Sequence, residues 1–311
     1  MIKSVFALLG ILLLGGFILV RSGEFLNQKA LTSPVLGVTR VSISENIWSP
    51  KIEDVKVGDF SDAPEVTAIS ALFVETGTGT VLYSKNPSQE LSIASLTKIM
   101  TTIIALENRD IDDIYTISER AASMEPDKMF LIPGEKLTLK QLLEGIFLIS
   151  ANDASEAIAE NTTGRREEFI NMMNSKARRL GMNNTFFLNP SGLEEDHARQ
   201  YSTAVDVAVM SRYLVRTFPE VVNISSKEHV YIEPTAYHQD YDMYSGINLL
   251  TTYPGVLGLK TGYTPVAGLT LVTLARRDDK EIIGVLLGAI NRRDDAKALL
   301  DYSFKKLGYE I

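Results

Sequence analysis

Three short stretches carry residue types that could do chemistry together. Ser95-Leu96-Thr97-Lys98 sets a hydroxyl and an amine three residues apart. On a helix, residues at that spacing share a face one turn apart, so the amine comes within reach of the hydroxyl. This arrangement turns a weak alcohol into a nucleophile without a histidine. An ammonium cannot accept a proton, so Lys98 must be neutral to act, and burial beside a second cation would hold it so. Alone the pattern says little: Ser is common at helix starts, and Ser303-Phe304-Lys305-Lys306 repeats it with no evident chemistry. Ser150-Ala151-Asn152 adds a hydroxyl able to pass a proton to a departing amine and an amide able to hold a carbonyl. Helix-end capping would account for both residues equally well. Lys260-Thr261-Gly262 adds positive charge, a donor for a carboxylate, and a position with no side chain where a ligand backbone can come close. The bland reading of Lys260 is an edge lysine that discourages aggregation.

The elements that must hold these residues follow from periodicity. A helix is expected from Ser95 to Leu106, with its N-terminal amides aimed at an anion. Residues 68–74 and 80–84 read as strands around Gly77-Thr78-Gly79, a hairpin. Leu139, Leu142, Leu143, Ile146 and Phe147 stand at helical spacing and predict a helix over 137–149, running straight into Ser150. Further helices are expected at 154–160, at 165–180 ended by Gly181, at 203–217 with Ser202 as N-cap, and at 294–307. Residues 110–118 read as an irregular connection. Strands are expected near 228–232 and at 256–261, 268–276 and 281–287, with Lys260 to Gly262 on a sheet edge. Strands at both ends with helices between them predict an α/β (α+β) fold. One antiparallel sheet is built from both chain ends and flanked by helices, and an all-helical subdomain is inserted.

The bulk properties bound the function. The 311 residues suffice for a sizeable core, and 45% hydrophobic with 23% charged residues is ordinary globular material. A net charge of -8 and the lack of a basic stripe argue against nucleic acid as a partner. There are no cysteines, which excludes disulfides and thiolate chemistry. His197, His229 and His238 stand in no metal-ligand spacing, so no metal is expected and each reads as a surface or loop residue. No phosphate-cradling glycine loop occurs, and no cofactor is implied. Residues 5–20 are an unbroken apolar run flanked by Lys3 and Arg21. As a helix it would span about 24 Å, so residues 1–21 are read as a membrane anchor in preference to a cleaved signal. Either way the rest of the chain crosses the membrane. Residues 22–63, punctuated by prolines and without a sustained period, read as an extracytoplasmic spacer. A short strand is conceivable at 35–43. The domain that carries the chemistry is then 64–311.

The three stretches, in this order, resemble the low-molecular-weight penicillin-binding proteins, D-alanyl-D-alanine carboxypeptidases of the β-lactamase/transpeptidase-like fold. The likeness extends to Gly79-Thr80-Val81-Leu82-Tyr83, to Ala94 through Thr101, to Ser150 through Ala154, and to Leu180-Gly181-Met182 through Phe187. Asn189-Pro190-Ser191-Gly192-Leu193 and Gly258 through Thr264 share it, so it covers about residues 66–305. The resemblance implies that Ser95 is the acylated nucleophile and Lys98 its base, with Ser150 and Asn152 serving proton transfer and positioning. It implies that Lys260 and Thr261 face the substrate carboxylate beside Gly262, helped by Arg292 (Arg293 is the neighbouring candidate). The backbone N–H groups of Ser95 and Tyr263 would form the oxyanion hole. The implied partners are peptidoglycan stem peptides ending in D-Ala-D-Ala, with β-lactams as inhibitors. Many relatives carry a C-terminal β-rich domain and an amphipathic membrane helix. Here the chain ends at Ile311, and the N-terminal run is expected to be the substitute anchor. A β-lactamase with Glu194 or Glu195 as deacylating base, a DD-endopeptidase, and a non-catalytic wall-binding relative are the alternatives.

Overall fold

The computed structural model describes residues 48–56, 58–195 and 198–310. The apolar run at 5–20, the short strand conceived at 35–43 and His197 lie outside the described residues. Among those described, no helix is long and apolar enough to cross a membrane.

Residues 48–56 and 58–63, read from the sequence as the end of a spacer, lie against the folded domain. Lys51 N donates to Gly79 O at 2.9 Å, and the Arg212 guanidinium sits 4.7 Å over the Trp48 ring. Further on, Phe60 packs 5.5 Å from Tyr83, and Tyr302 OH donates to Asp62 Oδ1 at 2.7 Å. Strands β1 (Ser70–Glu75) and β2 (Val81–Lys85) then form the expected hairpin. A 3-10 turn at Ala94–Leu96 leads into α1 (Thr97–Asn108).

The connection at 110–118 is more regular than its sequence suggests. Short strand β3 (Ile114–Thr116) pairs with β4 (Lys136–Thr138), and α2 (Glu119–Ala122) lies between them. Three- and four-residue elements are too short to show a period, which is why they were not legible. Helix α3 (Leu139–Ile149) starts on a full capping box, Thr138 with Gln141, and buries its five periodic residues. Helix α4 begins earlier than periodicity predicts, at Asn152 (Asn152–Thr163). Its first residues are fixed by tertiary contacts: Asn152 N donates to Asp127 O at 2.7 Å, and the Asp153 carboxylate accepts from Met129 N and Leu131 N. Helix α5 (Arg166–Arg179) follows. Helix α6 (Ala204–Thr217) is capped by Thr203, whose side chain accepts from Asp206 N, and not by Ser202 as expected. Ser202 is instead backbone-paired with Leu91 in both directions, so it is held extended one residue before the helix turns.

After α7 (Glu220–Ser225), strands β5 (His229–Ile232) and β6 (Tyr241–Tyr244) form a second small ladder within the helical insert. The short helix α8 (Leu249–Thr252) precedes β7 (Val256–Thr264), β8 (Gly268–Arg277) and β9 (Lys280–Ala289). Helix α9 (Arg292–Lys306) closes the domain. The main sheet is antiparallel throughout, in the order β2-β1-β9-β8-β7, so both chain ends build it as expected. Its strands are buried on both faces. Leu72, Val74, Val272, Leu274, Ile283 and Val285 face the helical insert, and Ala71, Phe73, Leu271, Ala275 and Leu286 face α9. That is why β1, β8 and β9 read as continuous apolar runs and not as alternations. The 3-10 turn packs on β7, the sheet's edge strand, and there the chemistry-bearing stretches meet.

Candidate active site

Ser95 is half-buried in the 3-10 turn, and Lys98 lies one turn on, in α1, completely buried. The turn has an unusual backbone, with Ala94 at φ 48°. Two glycines make room for it. A Cβ on Gly192 would fall 1.9 Å from Ala94 O, and one on Gly262 would fall 2.8 Å from Ser95 N and 2.6 Å from Thr270 Oγ1. The close approach expected at Gly262 is thus made by the chain's own Ser95 turn. Only bare backbone on both sides lets the peptide carrying Ser95 reach its position.

Lys98 Nζ is 2.9 Å from Ser95 Oγ, 2.8 Å from Asn152 Oδ1 and 2.7 Å from Ser191 O. Burial, helped by the positive charge of Lys260, holds its pKa well below the ordinary lysine range, while Asp127 and Asp153 pull the other way. A neutral amine has two N–H groups and one lone pair. Asn152 Oδ1 and Ser191 O can only accept, so they take the two N–H groups. The lone pair is then left for the hydroxyl proton of Ser95. Ser191 O is a backbone acceptor that sequence reasoning missed, because a carbonyl has no side-chain signature. Its turn is closed by Asn189 Oδ1, which accepts from Gly192 N at 2.7 Å, and is tied to α1 by Thr101 Oγ1, which donates to Pro190 O at 2.6 Å.

Ser150 joins α3 to α4 in the left-handed region, at φ 63°, as the C-cap residue of α3. The sharp reversal brings its hydroxyl to Lys260, whose Nζ donates to Ser150 Oγ at 2.9 Å and to Thr261 O at 2.7 Å. Lys260 is 1% exposed. Burial first, then the Arg292 charge, lowers its pKa from 10.5 to about 7, against a smaller opposite pull from Asp127. Thr261 is half-buried on β7, and the Tyr263 side chain is exposed. Arg292, the first residue of α9, donates through Nη1 to Gly262 O at 2.7 Å and Thr270 O at 3.2 Å. Its neighbour Arg293 instead pairs with Asp294, with its side chain half exposed. Ser95, Lys98, Ser150, Asn152, Lys260, Thr261, Gly262 and Arg292 therefore converge where α1, the α3–α4 corner, β7 and the start of α9 meet, and Arg293 does not join them. Of the alternative bases, Glu194 Oε1 accepts from Val266 N, and Glu195 Oε1 accepts from Asn189 Nδ2. Among the described residues, no group of three or more metal-ligating side chains comes together. Chemically, the site offers a nucleophile with an adjacent neutral base, a hydroxyl held by a second lysine, and a concentration of positive charge along an edge strand.

Comparison with known proteins places the chain in a family. The family described as D-alanyl-D-alanine carboxypeptidase, peptidase S11, matches residues 58–291. The chain is 39% identical over 248 residues to the D-alanyl-D-alanine carboxypeptidase DacF of Bacillus subtilis (strain 168), covering 77% of this chain and 62% of that one. It is 34% identical over 259 residues to DacC of Escherichia coli (strain K12), covering 78% and 63%. The chain therefore spans a little over three fifths of the length of these two relatives. Among solved structures, the D-alanyl-D-alanine carboxypeptidase DacD from Francisella tularensis superposes with a TM-score of 0.71 at 29% identity, covering 77% of this chain and 70% of that one. The Streptomyces K15 DD-transpeptidase gives 0.73 at 29% identity, covering 78% and 99%. With the family's match running from residue 58 to 291, and so through Ser95, Ser150 and Lys260, the chain belongs to the D-alanyl-D-alanine carboxypeptidase family.

Proposed function

We propose that the chain is a serine D-Ala-D-Ala carboxypeptidase, which removes the terminal D-alanine from peptidoglycan stem pentapeptides through an acyl-enzyme on Ser95. The observation that carries this is the contact between Ser95 Oγ and a buried lysine whose two N–H groups are already taken. Lys98 accepts the hydroxyl proton as Ser95 attacks the carbonyl between the two D-alanines. The developing oxyanion is held by the N–H groups of Ser95 and Tyr263. The C–N bond breaks as Ser150 relays to the departing amine the proton that Lys98 took from Ser95. Neutral Lys98 then takes a proton from the water that attacks the ester, and returns it to Ser95 as the acid leaves. Asn152 keeps Lys98 and the substrate in register. Lys260, Thr261 and Arg292 supply the positive field and the hydroxyl that receive the terminal carboxylate, with Gly262 keeping the strand close to the turn. A penicillin enters the same path, its ring C–N bond opening on Ser95.

The substrate lies outside the cytoplasm, so residues 64–311 act as the extracytoplasmic catalytic domain. Residues 1–21 are proposed as their membrane anchor and 22–63 as the connecting segment, whose last part, from Trp48, packs on the domain. The engagement of Glu194 and Glu195 by Val266 N and Asn189 favours a long-lived penicilloyl adduct over β-lactamase turnover. A fluorescent penicillin should label the purified chain, Ser95→Ala should abolish labelling, and a pentapeptide should yield free D-alanine. A well-folded wild type that neither labels nor releases D-alanine would reject the proposal. Fast loss of the label would point to a β-lactamase, and release only from cross-linked dimers to an endopeptidase.

A further inference from the structure

The two acceptors of the Lys98 amine belong to different elements: Asn152 opens α4, whereas Ser191 sits in the irregular 189–193 turn. Behind them runs a chain of charged contacts. Glu156 stands four residues after Asn152 on the same face of α4, with its side chain 0% exposed. Its Oε1 is 2.7 Å from Arg166 Nε and 2.9 Å from Arg120 Nε, and its Oε2 has no hydrogen-bond partner among the described residues. The Arg166 pair is close in distance without the alignment of a good hydrogen bond. Arg166 opens α5, is itself mostly buried, and reaches Glu195 Oε1 with Nη2 at 3.4 Å. The same Glu195 oxygen accepts from Asn189 Nδ2 at 3.0 Å, and Asn189 Oδ1 holds Gly192 N and Ser191 Oγ.

We propose that Arg166 is a positioning residue: it ties Glu156 on α4 to Glu195 and Asn189, and so fixes the separation of Asn152 Oδ1 and Ser191 O around the Lys98 amine. Nothing in the Ser-Lys chemistry requires a buried carboxylate between two arginines at this place. A brace requires one, because a neutral residue would let α5 and the turn move independently of α4. With both N–H groups fixed, the lone pair has one direction. A small drift of either acceptor turns it away from Ser95, and misplacement on that scale is costly in rate. This inference rests on Lys98 serving as the base for Ser95.

The test uses the full chain with Arg166→Gln, Arg166→Lys, Glu195→Gln and the double variant Arg166→Gln with Glu195→Gln. Two quantities are followed against pH: the rate of acylation by a fluorescent penicillin, and the Lys98 side-chain resonance in lysine labelled with ¹³C at Cε, assigned by its loss in Lys98→Arg. The charged groups already facing Lys98 (Lys260, Asp127 and Asp153) are unchanged in all variants. Arg166→Gln and Glu195→Gln should each slow acylation about tenfold and move the Lys98 midpoint to higher pH, as the loosened acceptors admit water. Arg166→Lys should recover part of both, and the double variant should be no worse than Arg166→Gln alone. A purely electrostatic effect would instead have opposite signs, since one variant removes a positive and the other a negative charge. Wild-type rates and Lys98 midpoints in folded variants would overturn the proposal, as would a loss of thermal stability alone. If Arg166→Gln fails to fold, Glu195→Gln decides, because that side chain is 43% exposed. Should the wild type take no penicillin, the Ser95 reading falls, while the Lys98 titration still judges the brace.

Discussion

At the scale of the residue, the site holds two lysines whose burial works against their charged forms. The Lys98 pKa is held down chiefly by burial, and that of Lys260 falls from 10.5 to about 7. Between pH 7 and 10.5 the folded state therefore binds fewer protons at Lys260 than the unfolded chain does. Stability should rise with pH across that window and be lowest, and flat in this contribution, below it. Lys260→Met is expected to remove the penalty, stabilising the fold near pH 7 by on the order of a few kcal/mol, less about 1 kcal/mol for the lost bond to Ser150. Urea unfolding from pH 6 to 10 should show a flatter profile for the variant, while penicillin acylation falls sharply. A variant that is less stable at pH 7 with an unchanged pH slope would mean that Lys260 is charged and paired. Site residues of this kind contradict the general rule that buried groups should be comfortable. Such contradictions are where function is expected.

At the scale of the element, the Ser95 turn is placed by absence. Gly192 and Gly262 flank one peptide, and each is close enough that a methyl group would collide with it. Gly192 also has φ 88°, so Gly192→Ala combines backbone strain with displacement of Ala94. It should cost about 1–3 kcal/mol of stability and lower acylation by at least about tenfold, since misplacing a nucleophile is penalised steeply. Thermal melts and penicillin labelling of the same preparation check both. Labelling at the wild-type rate would show that the turn tolerates a shift.

This pair also shows where sequence reading reaches and where it stops. Long periodic elements were legible, because α3 and the strands of the main sheet declare their buried faces through spacing and apolar runs. The Ser95, Ser150 and Lys260 stretches were legible as chemistry because their side chains are unusual in combination and in order. Gly192 was visible only as part of a family-like segment, for its purpose is contact with Ala94, nearly a hundred residues away. The Ser191 carbonyl and the links from Arg166 to Glu156 and Glu195 had no signal at all. One is backbone, and the others are ordinary surface-type residues until the fold brings them together. Ser202 has the chemistry of a cap, but its pairing with Leu91 leaves that role to Thr203.

At the scale of the whole molecule, the sheet divides the interior into two cores, one shared with the helical insert and one with α9. The candidate site lies on the β7 edge of that sheet, while residues 48–51 are strapped to the β1–β2 turn at the opposite edge. Trp48 is the anchor of that strap, partly buried against the helical core with Arg212 over its ring. Its Nε1 is buried without a partner among the described residues, so its value lies in packing and in the cation–π contact and not in a hydrogen bond. Trp48→Ala should therefore destabilise the domain by about 2–4 kcal/mol, whereas Trp48→Phe should keep most of that stability, having no N–H to leave unsatisfied. Because the strap and Ser95 sit on opposite sheet edges, the folded fraction of both variants should acylate with penicillin at the wild-type rate. Denaturant titrations paired with labelling kinetics make the comparison. Acylation that falls in step with stability would instead mean that the segment leading into the domain reaches the Ser95 turn through β1 and β9. The strap at 48–51 would then shape the chemistry as well as hold the fold.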